Sequence, residues 1–399
     1  MAAKSTERNV VLGVTGSIAA YKAVDLASRL TQAGVAVHTV MTESATKLVG
    51  PASFRAITGR PVSTQMFELE NVHSIEHVSL AELADLVLVA PATANVIAKM
   101  AAGIADDLLT CTLLATRAPV LVAPAMHTAM WENAATRENV QQLRDRGVAF
   151  VGPAVGRLAS GGHGAGRFAP VGEVLGEALR ILGRGGDLAG RRIVISAGGT
   201  REAIDPVRFL GNRSSGKMGH ALAEAARDRG AEVTLVAGPT TLACPAGMTV
   251  VDVESAADML GAVRAASAEA DALIMAAAVA DYRAEARAES KLKKSEGDLR
   301  LGLVRTDDVL AAVRDVSVRV GFAAETEDLV ENARRKLAAK GLDLVVANRV
   351  DGPNTPFGSE ANQAVLIDPD GGCDELPTLS KRDLAETILD RVRDLLDAR

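Results

Sequence analysis

Short apolar runs recur along this chain, each followed by a turn and then by a helical pattern. In the first half they are Val10–Val14, Val35–Val40, Leu86–Ala90 and Val120–Ala123. In the second half they are Ile193–Ala197, Val233–Ala237, Ala272–Ala277, Val318–Phe322 and Leu344–Ala347. Most lack polar alternation, so both faces of the strand are buried, as in a parallel sheet covered by helices. Strand and helix in alternation predict an α/β fold. A chain of 399 residues has room for two such domains, each with its own core. The glycine-rich stretch Gly183–Gly190 reads as the junction. The expected architecture is therefore two doubly wound, Rossmann-like domains, 1–182 and 191–399, with 183–190 as linker.

Composition narrows the function classes. The net charge is −6 and no long basic run occurs, which disfavours nucleic acid as an obligate partner. The cysteines, Cys111, Cys244 and Cys373, lie far apart without a CxxC pair, so neither a disulfide framework nor a zinc site is supported. Apolar stretches fall short of the roughly 20 residues that span a bilayer. The N-terminus MAAKSTERN lacks a signal-peptide core, and a cytoplasmic protein is expected.

Open parallel sheets bind ligands beyond the carboxyl ends of their strands. The segment Ala197–Gly219 (AGGTREAIDPVRFLGNRSSGKMG) occupies such a place. It holds Gly198, Gly199, Asp205, Arg208 and Asn212, then Ser214, Ser215, Gly216 and Lys217 opening a helix. Helix-start N–H groups beside a lysine suit an anion, although Ser214–Lys217 also fits an ordinary N-cap. The spacing nearly matches a P-loop, but Met218 stands where Ser or Thr would hold magnesium. Downstream, Asp281 ends a strand and suits magnesium or a nucleotide hydroxyl. Lys291–Lys294 (KLKK) reads as a solvated face or a triphosphate clamp, and Phe322, Lys336 and Lys340 can frame a base and its phosphates.

The first half offers comparable turns. Thr15-Gly16-Ser17-Ile18 opens a helix, although the dinucleotide fingerprint GxGxxG is absent. Pro91-Ala92-Thr93-Ala94-Asn95 (PATAN) opens another. His77 precedes a ligand-binding strand and is a candidate base, with a structural histidine as the alternative. Pro124–Trp131 (PAMHTAMW) and Gly156–Arg167 (GRLASGGHGAGR) complete the set. The last is too glycine-rich for helix or strand and is expected to be a mobile flap.

TGSIAAYK, PATAN, GIADDLL, PAMxxxMW and GxxASGxxGxGR resemble the FMN-binding cysteine decarboxylases, a flavodoxin-like family. GGTREAIDPVR, NRSSGKMG, AAAVADY, KLKK, GFAAET and VVAN resemble the CTP-dependent phosphopantothenate–cysteine ligases. The whole chain is similar to the bifunctional coenzyme A biosynthesis family, in which phosphopantothenoylcysteine decarboxylase precedes that ligase. The resemblance implies that Gly16, Ser17 and Ile18 receive the FMN phosphate and that Pro91, Thr93 and Asn95 contact flavin. His77 falls on the catalytic histidine. His127 stands where the family often has a carboxylate-binding Asn, and Ser160 where it often has a proton-donating Cys. The substrate thiol would be oxidised to a thioaldehyde, carbon dioxide would leave, and the enethiol would be reduced.

For the ligase, the resemblance implies that Asp281, Lys291, Thr306, Asp307, Asp308, Val309, Phe322, Lys336 and Lys340 contact CTP. Asn212 would handle the acyl-cytidylate, Lys291 would also be catalytic, Asp281 would hold Mg2+, and 354–362 (NTPFGSEAN) would lie near the substrate. Gly198, Gly199, Arg208 and Ser214–Lys217 would hold the phosphopantothenate. Homo-oligomers are also implied, with flavin domains in trimers or a dodecamer and ligase domains as dimers. A narrower reading keeps the ligase and makes the flavin domain structural or regulatory.

Overall fold

The computed structural model describes residues 8–66, 76–157, 161–293, 299–325, 327–349, 359 and 361–399. The chain divides into two compact units, Met1–Leu182 and Gly183–Arg399.

In the first unit, β1 (Asn9–Val14), β2 (Ala36–Met41), β3 (Val62–Ser63), β4 (Leu86–Ala92), β5 (Val120–Pro124) and β6 (Ala149–Phe150) form a parallel sheet. Its order is β3-β2-β1-β4-β5-β6. This is the order of dinucleotide-binding sheets, and without the two-residue β3 it reduces to the flavodoxin-like order. Leu12, Leu86, Leu88 and Leu121 face Leu26 and Leu30 of the Ala20–Gln32 helix. On the other face Val11, Val87, Val89 and Val122 meet Ile97 and Leu109, from helices Ala94–Ala102 and Leu108–Ala115. Burial on both faces explains the unbroken apolar runs.

The glycine-rich segment differs from expectation. Much of it is a hairpin, β7 (Ala154–Arg157) antiparallel to β8 (His163–Arg167), with a register shift between Ala154 and Val155. Its glycines let the hairpin lie directly on the chain after β5. Met126 N–H donates to Gly166 O at 2.9 Å, and a Cβ on Gly166 would collide with Met126 O. A Cβ on Gly164 would stand 2.5 Å from Thr128 Oγ1. Ser160 lies outside the described residues.

The second unit contains β9 (Arg192–Ala197), β10 (Arg201–Ala203), β11 (Phe209–Gly211), β12 (Glu232–Ala237), β13 (Thr249–Asp252), β14 (Ala272–Met275), β15 (Tyr282–Ala284) and β16 (Leu303–Arg305). It continues with β17 (Val318–Glu325), β18 (Leu344–Arg349), β19 (Ala361–Asn362), β20 (Ala364–Ile367), β21 (Cys373–Glu375) and β22 (Leu379–Ser380). The main sheet runs β13-β12-β9-β14-β17-β18-β20-β21. It is parallel as far as β18 and antiparallel beyond. Its parallel part retraces the strand order of the first unit.

Helices Lys217–Asp228 and Lys381–Asp397 cover one face through Leu222, Ala226, Leu384, Ile388 and Val392. Helices Ala256–Ser267 and Leu329–Lys340 cover the other through Met259, Val263 and Leu337. The stretch 183–190 is packed rather than free. Leu188 is fully buried in this unit's core, and its N–H donates to Arg229 O at 3.0 Å. Among the described residues, no helix is long and apolar enough to cross a membrane.

Candidate active sites

In the first unit the loops after β1 and β4 meet where the strand order reverses. Thr15, fully buried, joins them: its Oγ1 donates to Pro91 O at 2.7 Å and accepts from Thr93 N–H at 3.0 Å. Thr93 in turn caps the Ala94–Ala102 helix by accepting from Val96 N–H. Ser17 Oγ donates to Ala125 O at 3.1 Å, which brings in the loop after β5. Gly16, Ser17, Ile18, Pro91, Thr93 and the PAMH segment thus surround one locus, with Ile18 two-thirds exposed. Asn95 is the second residue of the Ala94–Ala102 helix and exposed.

Two cations border this locus. Lys22, in the first turn of the Ala20–Gln32 helix, sits 5.8 Å from the centroid of the Phe168 ring. Burial, then the neighbouring Arg167 guanidinium, holds its ammonium below the usual lysine range. Paired cations at a helix start favour a bound anion.

His127 is the N-cap of the Thr128–Glu132 helix, where Nδ1 accepts from Ala129 N–H at 3.2 Å. With Nδ1 accepting, Nε2 is the ring nitrogen left to donate to a ligand. His77 is half-buried in the first turn of helix Glu76–Leu83, and its side chain makes no hydrogen bond among the described residues. Glu43, just after β2, is an exposed partner of Lys47 at 2.8 Å.

In the second unit the switch point lies between β9 and β14. Gly199 bridges Ala278, Ala278 N–H donates to Gly198 O, and Ala280 N–H donates to Thr200 Oγ1 at 2.9 Å. Gly198 and Gly199 therefore underlie the site and do not form its wall. Gly198, at φ 80, packs against Gly238, leaving no space for a side chain.

Above them is a cavity of about 500 Å³ lined by 212–219, 276–279, Asp281, Phe322 and Lys336. Asn212 is held there by donating Nδ2–H to Val279 O at 2.9 Å. Gly216 caps the Lys217–Asp228 helix at φ 76. Beside it is a second cavity of about 590 Å³ lined by 279–282, 305–310, Phe322, Lys336 and Lys340. The two share Ala277, Val279, Asp281, Phe322 and Lys336.

Most of the nucleotide candidates gather around the second cavity. Thr306 Oγ1 donates to Ala280 O at 2.6 Å, and Lys336 Nζ to Phe322 O at 2.6 Å. Asp307 and Val309 line the cavity, and Asp308 pairs with Lys340 at 2.9 Å while capping the helix that Val309 begins. Burial raises the Asp308 carboxyl, but Lys340 and the Ala311 N–H outweigh it and hold the group below its ordinary value. Among the described residues no cluster of three or more His, Cys, Asp or Glu could hold a metal.

Arg208 and Lys291 stand apart from both cavities. Arg208 pairs with Asp205 at 2.9 Å and donates to Leu292 O at 3.2 Å. Asp205, its side chain fully buried, also accepts from Val207, Arg208 and Leu292 N–H groups. The pair tethers the start of the KLKK segment, whose Lys291 is exposed. Lys294 and most of 354–362 lie outside the described residues.

A family model described as "Flavoprotein" matches residues 2–182. Another, described as "DNA/pantothenate metabolism flavoprotein C-terminal domain", matches residues 188–396. The coenzyme A biosynthesis bifunctional protein CoaBC of Mycobacterium bovis is 47% identical over 408 residues, spanning 98% of this chain and 97% of that protein. The chain belongs to this bifunctional family. Its Bacillus subtilis member is 46% identical over 391 residues, spanning 96% of each chain. A solved C-terminal domain of a CoaBC protein is 42% identical and covers 53% of this chain and 99% of its own, with TM-score 0.46.

For this bifunctional family member, sequence reasoning gave no role to Thr15, Asn348 or Lys381, whereas Asn362 closes the 354–362 stretch expected near the substrate. Thr15 looks like any polar residue at a strand end. Asn348 and Asn362 belong to quoted motifs but carry no signal that they meet.

Proposed function

We infer that this chain performs two steps of coenzyme A biosynthesis. The CTP-dependent ligase joins 4'-phosphopantothenate to cysteine, and an FMN-dependent decarboxylase converts the phosphopantothenoylcysteine to 4'-phosphopantetheine. Likeness to the bifunctional relatives spans both halves, so no observation favours a merely structural flavin unit.

The observation that carries the ligase reading is the wall common to the two cavities. CTP would occupy the cavity of Thr306–Val309, Phe322, Lys336 and Lys340, and phosphopantothenate that of Asn212 and Ser214–Lys217. The substrate carboxylate then meets the α-phosphorus beside Lys336. Attack there forms the C–O–P link and expels pyrophosphate. The cysteine amine next bonds to the acyl carbon as CMP leaves and the amine proton passes to solvent. Asn212 holds the acyl-cytidylate, and exposed Lys291 reaches the phosphates from its tether. Asp281 with phosphate oxygens would hold Mg2+, an ion that needs few protein carboxylates.

In the flavoprotein unit the donor set fits a flavin phosphate. The N–H groups of Gly16 and Ile18 make no hydrogen bond among the described residues, and they stand at a helix start beside Lys22. Pro91, Thr93 and Asn95 would border the ring. FMN when bound supplies the oxidation and reduction between which carbon dioxide leaves. His127 Nε2–H holds the departing carboxylate, His77 moves a proton, and Ser160 serves as the last donor.

We place the protein in the cytoplasm as a homo-oligomer, with flavin units in trimers or a dodecamer and ligase units paired. Exposed Val207 in the turn before β11, Phe209 in β11 and Tyr282 in β15 support pairing of the ligase. One incubation tests the reading: CTP, Mg2+, cysteine and phosphopantothenate, followed for CMP and carbon dioxide. Absence of CMP refutes the ligase, and CMP without carbon dioxide refutes the decarboxylase.

A further inference from the structure

One wall of the substrate cavity has no role in the ligase reading above. It consists of Asn348 near the end of β18, Asn362 in β19 and Lys381, the first residue of the Lys381–Asp397 helix. They are 8%, 7% and 7% exposed. Pairing of β19 with β22 brings Asn362 beside the strand that leads into Lys381.

Asn362 Nδ2 donates to Asn348 Oδ1 at 3.2 Å. That bond sets the amide orientations. It leaves Asn348 Nδ2 as a donor and Asn362 Oδ1 as an acceptor, neither with a partner among the described residues. Lys381 adds an ammonium with three N–H donors, enough to serve a protein acceptor and a ligand together. Desolvation and the positive end of the helix dipole both disfavour an ammonium at this position. A carboxylate in the cavity would complement its charge.

An ammonium, an amide N–H and an amide oxygen on one wall complement an amino acid. The carboxylate accepts from Lys381 and Asn348, and the amine donates to Asn362. We propose that Asn348, Asn362 and Lys381 recognise the cysteine co-substrate by its α-carboxylate and amine. The proposal rests on the ligase reading, and it supplies the amino-acid subsite that the reading lacks.

The test uses the full-length protein with CTP, Mg2+ and phosphopantothenate, and either cysteine or cysteamine, which lacks the carboxylate. Lys381→Met is expected to raise the KM for cysteine about tenfold or more, the usual consequence of losing a charged hydrogen bond. Turnover of cysteamine, the KM for phosphopantothenate and pyrophosphate release without cysteine should stay at wild-type values. Asn348→Ala should give the same split with a smaller effect, and it carries the test if Lys381→Met does not fold. A rise in the KM for phosphopantothenate instead would assign the wall to that substrate's phosphate and overturn the proposal. An unchanged KM for cysteine in both variants would also overturn it. Failure of the wild-type protein to release pyrophosphate would instead refute the ligase reading itself.

Discussion

Thr15 ties two loops together with one hydroxyl. It is fully buried, donates to Pro91 O and accepts from Thr93 N–H. Thr15→Val keeps the shape but strands a carbonyl and an N–H, at a cost of about 2–3 kcal/mol. The flavoprotein unit should melt earlier and bind FMN more weakly, while CMP formation is unchanged. Thermal denaturation and a flavin fluorescence titration measure the two effects. His127 shows a related economy: one ring nitrogen caps a helix and leaves the other to donate to a ligand.

At the scale of elements, the β7–β8 hairpin depends on its glycines. Gly166→Ala puts a Cβ against Met126 O at φ 136, where L side chains are strained. Carbon dioxide release should fall about tenfold or more as the hairpin lifts, with CMP release intact, since a 1.4 kcal/mol misfit suffices for that factor. The Asp205 tether makes a prediction in pH. Burial raises this carboxyl, but the Val207, Arg208 and Leu292 N–H groups and Arg208 outweigh it and depress its pKa. A depressed acid stabilises the fold above its unfolded pKa, near 3.9, and loses that contribution as pH falls through the folded value. Acid titration should therefore loosen the 291–293 segment before the sheet melts, and Asp205→Asn should abolish that early step in hydrogen exchange.

The elements legible in the sequence are those buried on both faces, such as β1, β9 and β14. Strand β13 escapes because its residues are only half-buried or exposed, and β20 and β21 because they return antiparallel outside the strand–helix rhythm. The same return assembles the wall of Asn348, Asn362 and Lys381. Its residues lie on β18, β19 and a helix start, and nothing in their spacing announces that they meet. The flap is misread because glycine content signals looseness in general, whereas here it permits backbone contact with Met126.

At the scale of the whole molecule, each unit has its own core, yet the stretch between them belongs to the second. Leu188 is fully buried among Ile193, Leu222 and Leu389. Leu188→Ala should destabilise the ligase unit by about 2–5 kcal/mol. A fragment beginning at residue 191 should unfold at lower denaturant than one beginning at 183. Equal midpoints in urea would contradict that packing.

The sheet of the first unit also ends in a particular way. Its outermost strands, β3 and β6, are two residues long. A sheet edge with so few unpaired N–H and C=O groups offers almost no template for another chain to add a strand. A chain adding at either margin would meet only that short strand, and beyond it the parts of β2 and β5 that the short strand leaves uncovered.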